Sequence, residues 1–145
     1  MQVNKVIVPL DGSTLGEAAL TWAASATRKG GTVVLVRAAD ALTTANARAA
    51  ETYLAGVATQ VKALGVTNVD TSVPYGLAVD SIVEAARYRK ADLIVMSTHA
   101  RTGFARLVMG SVAESVMRST TTPILLVRSP QATVRTSRRA FVRAL

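Results

Sequence analysis

Residues 92–113 read DLIVMSTHARTGFARLVMGSVA and contain the features that decide the fold. The apolar run 93–96 predicts a buried strand. A polar, basic loop follows it and ends at Gly110-Ser111, where an apolar helical pattern begins. A loop that ends at a helix N-terminus presents backbone N–H groups and the positive end of the helix dipole. The stretch therefore predicts an anion site, suited above all to a phosphate.

The rest of the chain alternates between strand and helix patterns. Apolar, β-branched stretches predict five strands, at residues 3–10, 32–39, 66–73, 92–96 and 123–127. The third has the weaker alternation that is typical of an edge strand. Apolar residues at helical spacing predict four intervening helices, which begin near Thr14, Ala47, Val79 and Ser111.

Local signals predict where the helices begin and end. Thr14 with Glu17, and Ser111 with Glu114, have the spacing of a capping box, in which the first side chain caps the helix. Because glycine commonly follows a helix end, the first helix is expected to stop near residues 29–31.

Alternating helices and continuously apolar strands predict a doubly wound α/β fold, an open parallel sheet with helices on both faces. Ligands of such folds bind at the carboxyl ends of the strands, where the strand order reverses. Strand one ends in Asp11-Gly12-Ser13, and strand four continues into 97–100. If these two strands are neighbours, both polar segments line one crevice.

Composition limits the class of protein. The chain has 145 residues, no cysteine and a formal net charge of +8. Its length fits one domain, and no apolar run approaches the roughly 18–20 residues of a membrane span. The first residues do not resemble a signal peptide. We therefore expect a cytoplasmic protein without disulfides or Cys-based metal sites.

Much of the positive charge lies in a C-terminal tail. Residues 129–145 contain four of the 17 Lys and Arg residues and no acidic residue. Aromatic residues make up only 4% of the chain and form no base-stacking cluster, so nucleic acid is not expected as the main partner. The tail is expected to be disordered, or to form a short amphipathic helix on a partner or an anionic surface.

The chain resembles the universal stress protein family over residues 3–128. The likeness rests on VIVPLDGS at 6–13, STHARTGFARLVMGSVAESV at 97–116 and PILLVR at 123–128. It implies a Rossmann-like five-stranded sheet of order 3-2-1-4-5 in a domain that covers 1–128. It also implies a homodimer formed through the fifth strand, 123–127.

Nucleotide-binding members of this family carry Gly, two residues, Gly, nine residues, then Gly-Ser or Gly-Thr. This spacing falls on Ser97, Ala100 and the pair Gly110-Ser111, so the final pair matches and the first two glycines are absent. Glycine serves where φ is positive or where the backbone approaches a ligand closely. The Ser97 hydroxyl, in turn, is a possible donor to phosphate or ribose.

The resemblance implies ATP, ADP or AMP as ligand, with Mg²⁺ or Mn²⁺ on the phosphates. The nucleotide-binding residues carried over from the family are Pro9, Leu10, Asp11, Ala38, Met96, Ser97, His99, Ala100, Gly110, Ser111, Val112 and Ala113. The simpler alternatives are that Ser111 only caps a helix, that His99 only orders the loop, and that Arg101 and Arg106 are only solvated. A carboxylate such as Asp11 would repel a triphosphate and so suits ribose hydroxyls or a metal-bound water.

Three functions remain open at this point. The first is a stress-response protein that uses an adenine nucleotide as a regulatory or structural ligand, with slow hydrolysis at most, because no base is placed to activate water. The second is a dimeric interaction module of the same fold without nucleotide. The third is an adenylate-forming ligase, which would need a longer Gly- and Ser-rich loop than residues 11–14 provide.

Overall fold

The computed structural model describes residues 2–39, 43–98 and 110–128. These residues form one parallel sheet with the strand order β3-β2-β1-β4-β5, as predicted. The strands are β1 Val3–Pro9, β2 Thr27–Val36, β3 Asn68–Ser72, β4 Leu93–Thr98 and β5 Ile124–Arg128. A short 3₁₀ turn, Gly16–Ala18, leads into the first helix, and the helices are α1 Ala19–Ala26, α2 Thr44–Ala63, α3 Ala78–Tyr88 and α4 Ser111–Ser119.

The sheet has a separate apolar core on each face. One core contains Val6 and Val8 of β1 and packs under α1 and α2 through residues such as Leu54. The other contains Ile7 of β1 and packs under α3 and α4 through residues such as Ile82. Successive strand residues point to opposite faces, and both faces are buried, which is why the strands read as continuous apolar runs.

The glycine pair after α1 lies inside β2 rather than at a helix end, so the predicted stop near residues 29–31 is wrong. The helix ends at Ala26, and the Thr27 hydroxyl donates to the Ala23 carbonyl oxygen at 2.7 Å. Pairing with β1 begins at Thr27 and is then interrupted, and Gly30 in the interruption has a φ of 80°. Glycine therefore serves an irregularity of the strand here.

The capping box predicted at Thr14 and Glu17 does not form. The Ser13 hydroxyl oxygen accepts the Gly16 N–H at 3.1 Å instead. The Glu17 carboxylate accepts the Tyr53 hydroxyl of α2 at 3.0 Å. Tertiary contacts therefore override the local signal, because the half-buried phenol of Tyr53 supplies a better partner than the exposed backbone.

The capping box predicted at Ser111 and Glu114 does not form either. Gly110 is the N-cap of α4, no side chain among the described residues caps this end, and Ser111 is the first helical residue. The Glu114 carboxylate accepts from the Arg118 guanidinium one turn later, at 2.8 Å.

The third strand lies at one edge of the sheet, as predicted. Among the described residues, no helix combines the length and apolarity that a membrane span requires. Predictions for His99, Ala100, Arg101, Arg106 and the tail 129–145 lie outside the described residues.

Candidate functional site

The carboxyl ends of β1, β2 and β4 meet at one edge of the sheet. Pro9 pairs with Val36, and the Leu10 N–H donates to the Val36 carbonyl oxygen at 2.8 Å. On the other side of β1, Ile7 pairs with Ile94 of β4. Strands one and four are therefore neighbours at the position where the strand order reverses, which is where doubly wound sheets bind ligands.

The loop after β1 is ordered by its own polar side chains. Asp11 Oδ1 accepts the Ser13 N–H at 2.9 Å and the Ser13 hydroxyl at 2.6 Å. Between these residues, Gly12 has a φ of 88°, a conformation that L side chains rarely adopt. The loop thus places an exposed carboxylate at the crevice.

Ser97 connects the end of β4 to this loop. Its hydroxyl donates to the Gly16 carbonyl oxygen at 3.0 Å. The donor that sequence reasoning offered to a phosphate or a ribose is thus engaged within the protein. Among the described residues other than glycine, only Lys90 has a positive φ, so serine at position 97 imposes no left-handed backbone strain.

The helix α4 lies between β4 and β5 in the chain, so in a doubly wound sheet its N-terminus is expected at the edge where β1 and β4 end. The N-cap residue of α4 is Gly110, which offers no side chain to accept from the N–H groups at the start of the helix. The first helix-type bond runs from the Glu114 N–H to the Gly110 carbonyl oxygen at 3.0 Å, so the N–H groups of 111–113 point out of the helix. Glu114 in the first turn is paired with Arg118.

The predicted site residues divide by the exposure of their side chains. Leu10, Met96 and Ala113 have side chains in the cores, with exposed fractions of 6%, 5% and 2%. Such residues have only their backbone to offer a ligand. The predicted positions with half-buried or exposed side chains are Pro9, Asp11, Ala38, Ser97, Ser111 and Val112.

A cluster around Arg37 was missed by sequence reasoning. Arg37 follows β2 directly, and its guanidinium carbon lies 4.9 Å from the centroid of the Tyr53 ring. A methyl group built on Gly12 would lie 2.6 Å from Arg37 Nη1, so the guanidinium rests against the loop after β1. The available signal was a single charged residue within the apolar stretch 32–39.

The electrostatics of this cluster act on Tyr53. Burial raises the pKa of the Tyr53 hydroxyl, and its hydrogen bond to Glu17 raises that pKa further. The charges of Glu17 and Asp11 act in the same direction, and the charge of Arg37 opposes them. Two carboxylates, one guanidinium and one neutral phenol therefore share the space beside the crevice.

Metal-ligating side chains do not cluster in the described part of the chain. Within residues 2–39, 43–98 and 110–128, no group of three or more His, Cys, Asp or Glu residues has the geometry to hold a metal ion.

Comparison with known proteins gives a consistent result. The sequence model of the universal stress protein family matches residues 2–128. Universal stress protein MJ0531 of Methanocaldococcus jannaschii is 43% identical over 63 residues, which are 43% of this chain and 37% of that protein. The chain thus spans little more than a third of the length of this curated relative.

Solved structures share the fold. The structure of MJ0577 has a TM-score of 0.78 and 22% identity, and the match covers 91% of this chain and 100% of that one. At this identity the likeness shows the fold alone. A universal stress protein in complex with cAMP has a TM-score of 0.73 and 25% identity over 90% of this chain and 100% of that chain.

Proposed function

We propose that this chain, which belongs to the universal stress protein family, binds ATP or another adenine nucleotide in the crevice between β1 and β4. The nucleotide acts as a regulatory or structural ligand in a stress response, with slow turnover at most. One observation carries the proposal. The carboxyl ends of β1 and β4 lie side by side, and the α-helix that follows β4 has an N-terminus that no side chain in the described part of the chain caps.

The donor set of this helix end fits the phosphates. Uncapped N–H groups at residues 111–113 and the positive end of the α4 dipole favour an anion. Ser111 is exposed and adds a hydroxyl donor. An anion can therefore replace the missing cap without displacing any described side chain.

The opposite side of the crevice fits a nucleoside. The carboxylate of Asp11 suits ribose hydroxyls, which donate hydrogen bonds, and it would repel the triphosphate chain. The backbone at Ala38, beyond the end of β2, meets the edge of the adenine in this arrangement. The segments Pro9–Leu10 and 96–100 line the space between, and Mg²⁺ or Mn²⁺ accompanies the phosphates. The related protein that was solved with cAMP supports an adenine nucleotide as the ligand class.

A second candidate is a dimeric interaction module that binds no nucleotide. The observation that favours it is the hydrogen bond from Ser97 to Gly16, because this bond joins the end of β4 to the segment after β1 at a position where nucleotide-binding relatives carry a glycine.

Thermal unfolding with and without ATP and Mg²⁺ separates the two candidates. A ligand at 100 times its Kd stabilises the folded state by about 2.7 kcal/mol. For a chain of this size we expect the melting temperature to rise by roughly 5–10 °C at saturating ATP. An unchanged melting temperature at millimolar ATP would favour the interaction module.

The variant Ser111→Glu tests where the phosphates bind. A carboxylate in the first turn of α4 interacts favourably with the helix dipole, so the fold should be retained, but it repels a phosphate. We expect this variant to melt like the parent chain and to lose the rise caused by ATP. The matched control is Ser119→Glu, which makes the same change at the other end of the same helix. A full response to ATP in Ser111→Glu would place the phosphates elsewhere.

A further inference from the structure

Arg37 presents a positively charged side chain at the candidate site. It is the first residue after β2, and its side chain is half-buried. The guanidinium lies close to the backbone of Gly12 and over the ring of Tyr53. Stacking on an aromatic ring fixes the plane of a guanidinium and leaves its edge open to acceptors.

The donors of this guanidinium are available. Arginine has five N–H donors and no acceptor. Within the described ranges, no hydrogen bond or ion pair joins the Arg37 side chain to another residue, whereas Arg89 and Arg118 each pair with a carboxylate. A half-buried guanidinium of this kind is suited to an anion that comes from outside the chain.

The position of Arg37 in the fold suggests which part of a nucleotide it meets. In doubly wound nucleotide-binding folds, the residues after β2 lie beside the ribose of a nucleotide that is bound after β1. An acidic residue there accepts from the 2′-hydroxyl, whereas an arginine accommodates a phosphate on the ribose. Here the residue after β2 is an arginine, and it touches the Gly12 backbone, next to Asp11.

We infer that Arg37 makes the site selective for adenine nucleotides that carry an additional phosphate ester on the 2′ or 3′ oxygen of the ribose. This inference rests on the proposed function. Tyr53 holds the guanidinium in place, and Glu17 holds the Tyr53 hydroxyl, so the phosphate meets a preorganised donor. Without the guanidinium, Asp11 and Glu17 leave two negative charges beside the ribose, and the preference reverses toward free hydroxyls.

Calorimetric titrations of the full chain test this selectivity. The ligands are AMP, adenosine 2′,5′-bisphosphate and adenosine 3′,5′-bisphosphate, and the two bisphosphates distinguish the position of the phosphate. We expect one bisphosphate to bind on the order of tenfold more tightly than AMP, from charge-assisted hydrogen bonds to the guanidinium. Equal affinity for all three ligands would overturn the inference and leave the proposed function intact.

Variants separate selectivity from a structural role. Arg37→Ala should abolish or reverse the preference, and Arg37→Lys should keep part of it. If Arg37 had only a structural role, its replacement would lower the affinity for AMP and for the bisphosphates by the same factor, so an unchanged affinity ratio in Arg37→Ala contradicts the inference.

The matched control is Arg28→Ala, which removes an exposed arginine near the other end of β2, where it donates to Asn4. A parent chain that binds none of the three ligands would overturn the inference and the proposed function together.

Discussion

The hydroxyl of Ser97 donates to the carbonyl oxygen of Gly16 and so ties the end of β4 to the start of the first helical turn. Because the backbone of Ser97 has no positive φ, a glycine there would relieve no backbone strain. A glycine at position 97 would instead remove the hydrogen bond and the Cβ atom. Loss of the hydrogen bond affects the stability of the fold, and loss of the Cβ atom affects the space available to a ligand and so its affinity.

Replacing Ser97 separates the two effects. Ser97→Ala removes the hydrogen bond, and we expect the free energy of unfolding to fall by about 1 kcal/mol. For Ser97→Gly we expect the free energy of unfolding to fall by roughly 0.5–1 kcal/mol more, because glycine loses more conformational entropy on folding. Urea unfolding measures both values.

If a nucleotide approaches this backbone closely, Ser97→Gly should bind ATP about fivefold more tightly than Ser97→Ala, which corresponds to ~1 kcal/mol. Equal affinity of the two variants would show that the Cβ atom does not meet the ligand.

The hydroxyl of Tyr53 gives a second prediction. Tyr53→Phe removes the bond to Glu17 but keeps the ring on which Arg37 stacks. Near pH 8 we expect the variant to be less stable by about 1 kcal/mol, the typical worth of such a bond. The matched control is Tyr88→Phe, because Tyr88 is 87% exposed and its replacement should leave stability unchanged.

The stability difference between the parent chain and Tyr53→Phe depends on pH. Burial and the bond to Glu17 raise the pKa of Tyr53 in the folded state. A raised pKa means that the stabilising contribution is fully present below the unfolded-state pKa, about 10, and declines as pH rises above it. The parent chain should therefore lose stability relative to Tyr53→Phe in unfolding measurements above that pH. A difference that stays constant from pH 8 to 11 would contradict the role assigned to the neutral phenol.

At the scale of single residues, sequence reasoning predicted some local features and not others. The start of α4 at Ser111 was predicted because a helix start after a buried strand has a distinct pattern. Arg37 and Tyr53 were not recognised, because they are 16 positions apart in sequence and meet only when α2 packs beside the end of β2. The capping box at Thr14 and Glu17 failed for the same reason, since Glu17 accepts from Tyr53 of α2, whereas Glu114 pairs with Arg118 within its own helix.

At the scale of elements, β5 is the segment that bears on assembly. It pairs with β4 in register Ile94 with Ile124 and forms one edge of the described sheet. The Ile94 N–H donates to the Pro123 carbonyl oxygen. In a parallel ladder, alternate residues bond to the neighbouring strand, so 125 and 127 face β4 and 124 and 126 face the open edge. An apolar edge that pairs with no other described strand fits the homodimer that we propose for the fifth strand.

A proline at the open edge tests this dimer. Leu126→Pro removes an outward-facing N–H while the ladder to β4 is kept, because proline is tolerated on edge strands. We expect the chain to sediment as a dimer and Leu126→Pro as a monomer of unchanged helix content. Leu126→Ala controls for the lost side chain and should remain dimeric. A dimeric Leu126→Pro, or a monomeric parent chain, would exclude pairing through β5.

The order of the elements was predictable because each strand is a continuous apolar run between segments with helical apolar spacing. The residues at which the elements begin and end were harder to predict. The β2 strand starts five residues before the predicted start at residue 32. Thr27 is extended and enters the sheet directly after α1, and an irregularity of the strand accommodates the glycine pair. Such an irregularity depends on pairing with β1, which local sequence does not specify.

At the scale of the whole molecule, the two cores hold the carboxyl ends of β1, β2 and β4 at one edge, and the crevice follows from that arrangement. Side chains of the cores, such as Met96 and Ala113, fix the backbone that a ligand would contact. The fold therefore determines where a nucleotide would bind, and a few polar residues determine how tightly.

Calorimetric titration of ATP with Mg²⁺ into the full chain tests the central claim most directly. The proposed function predicts saturable binding of one nucleotide per chain, with a Kd of about 1 mM or tighter. Absence of binding heat at millimolar ATP and Mg²⁺, in a chain that is folded by circular dichroism, would contradict it.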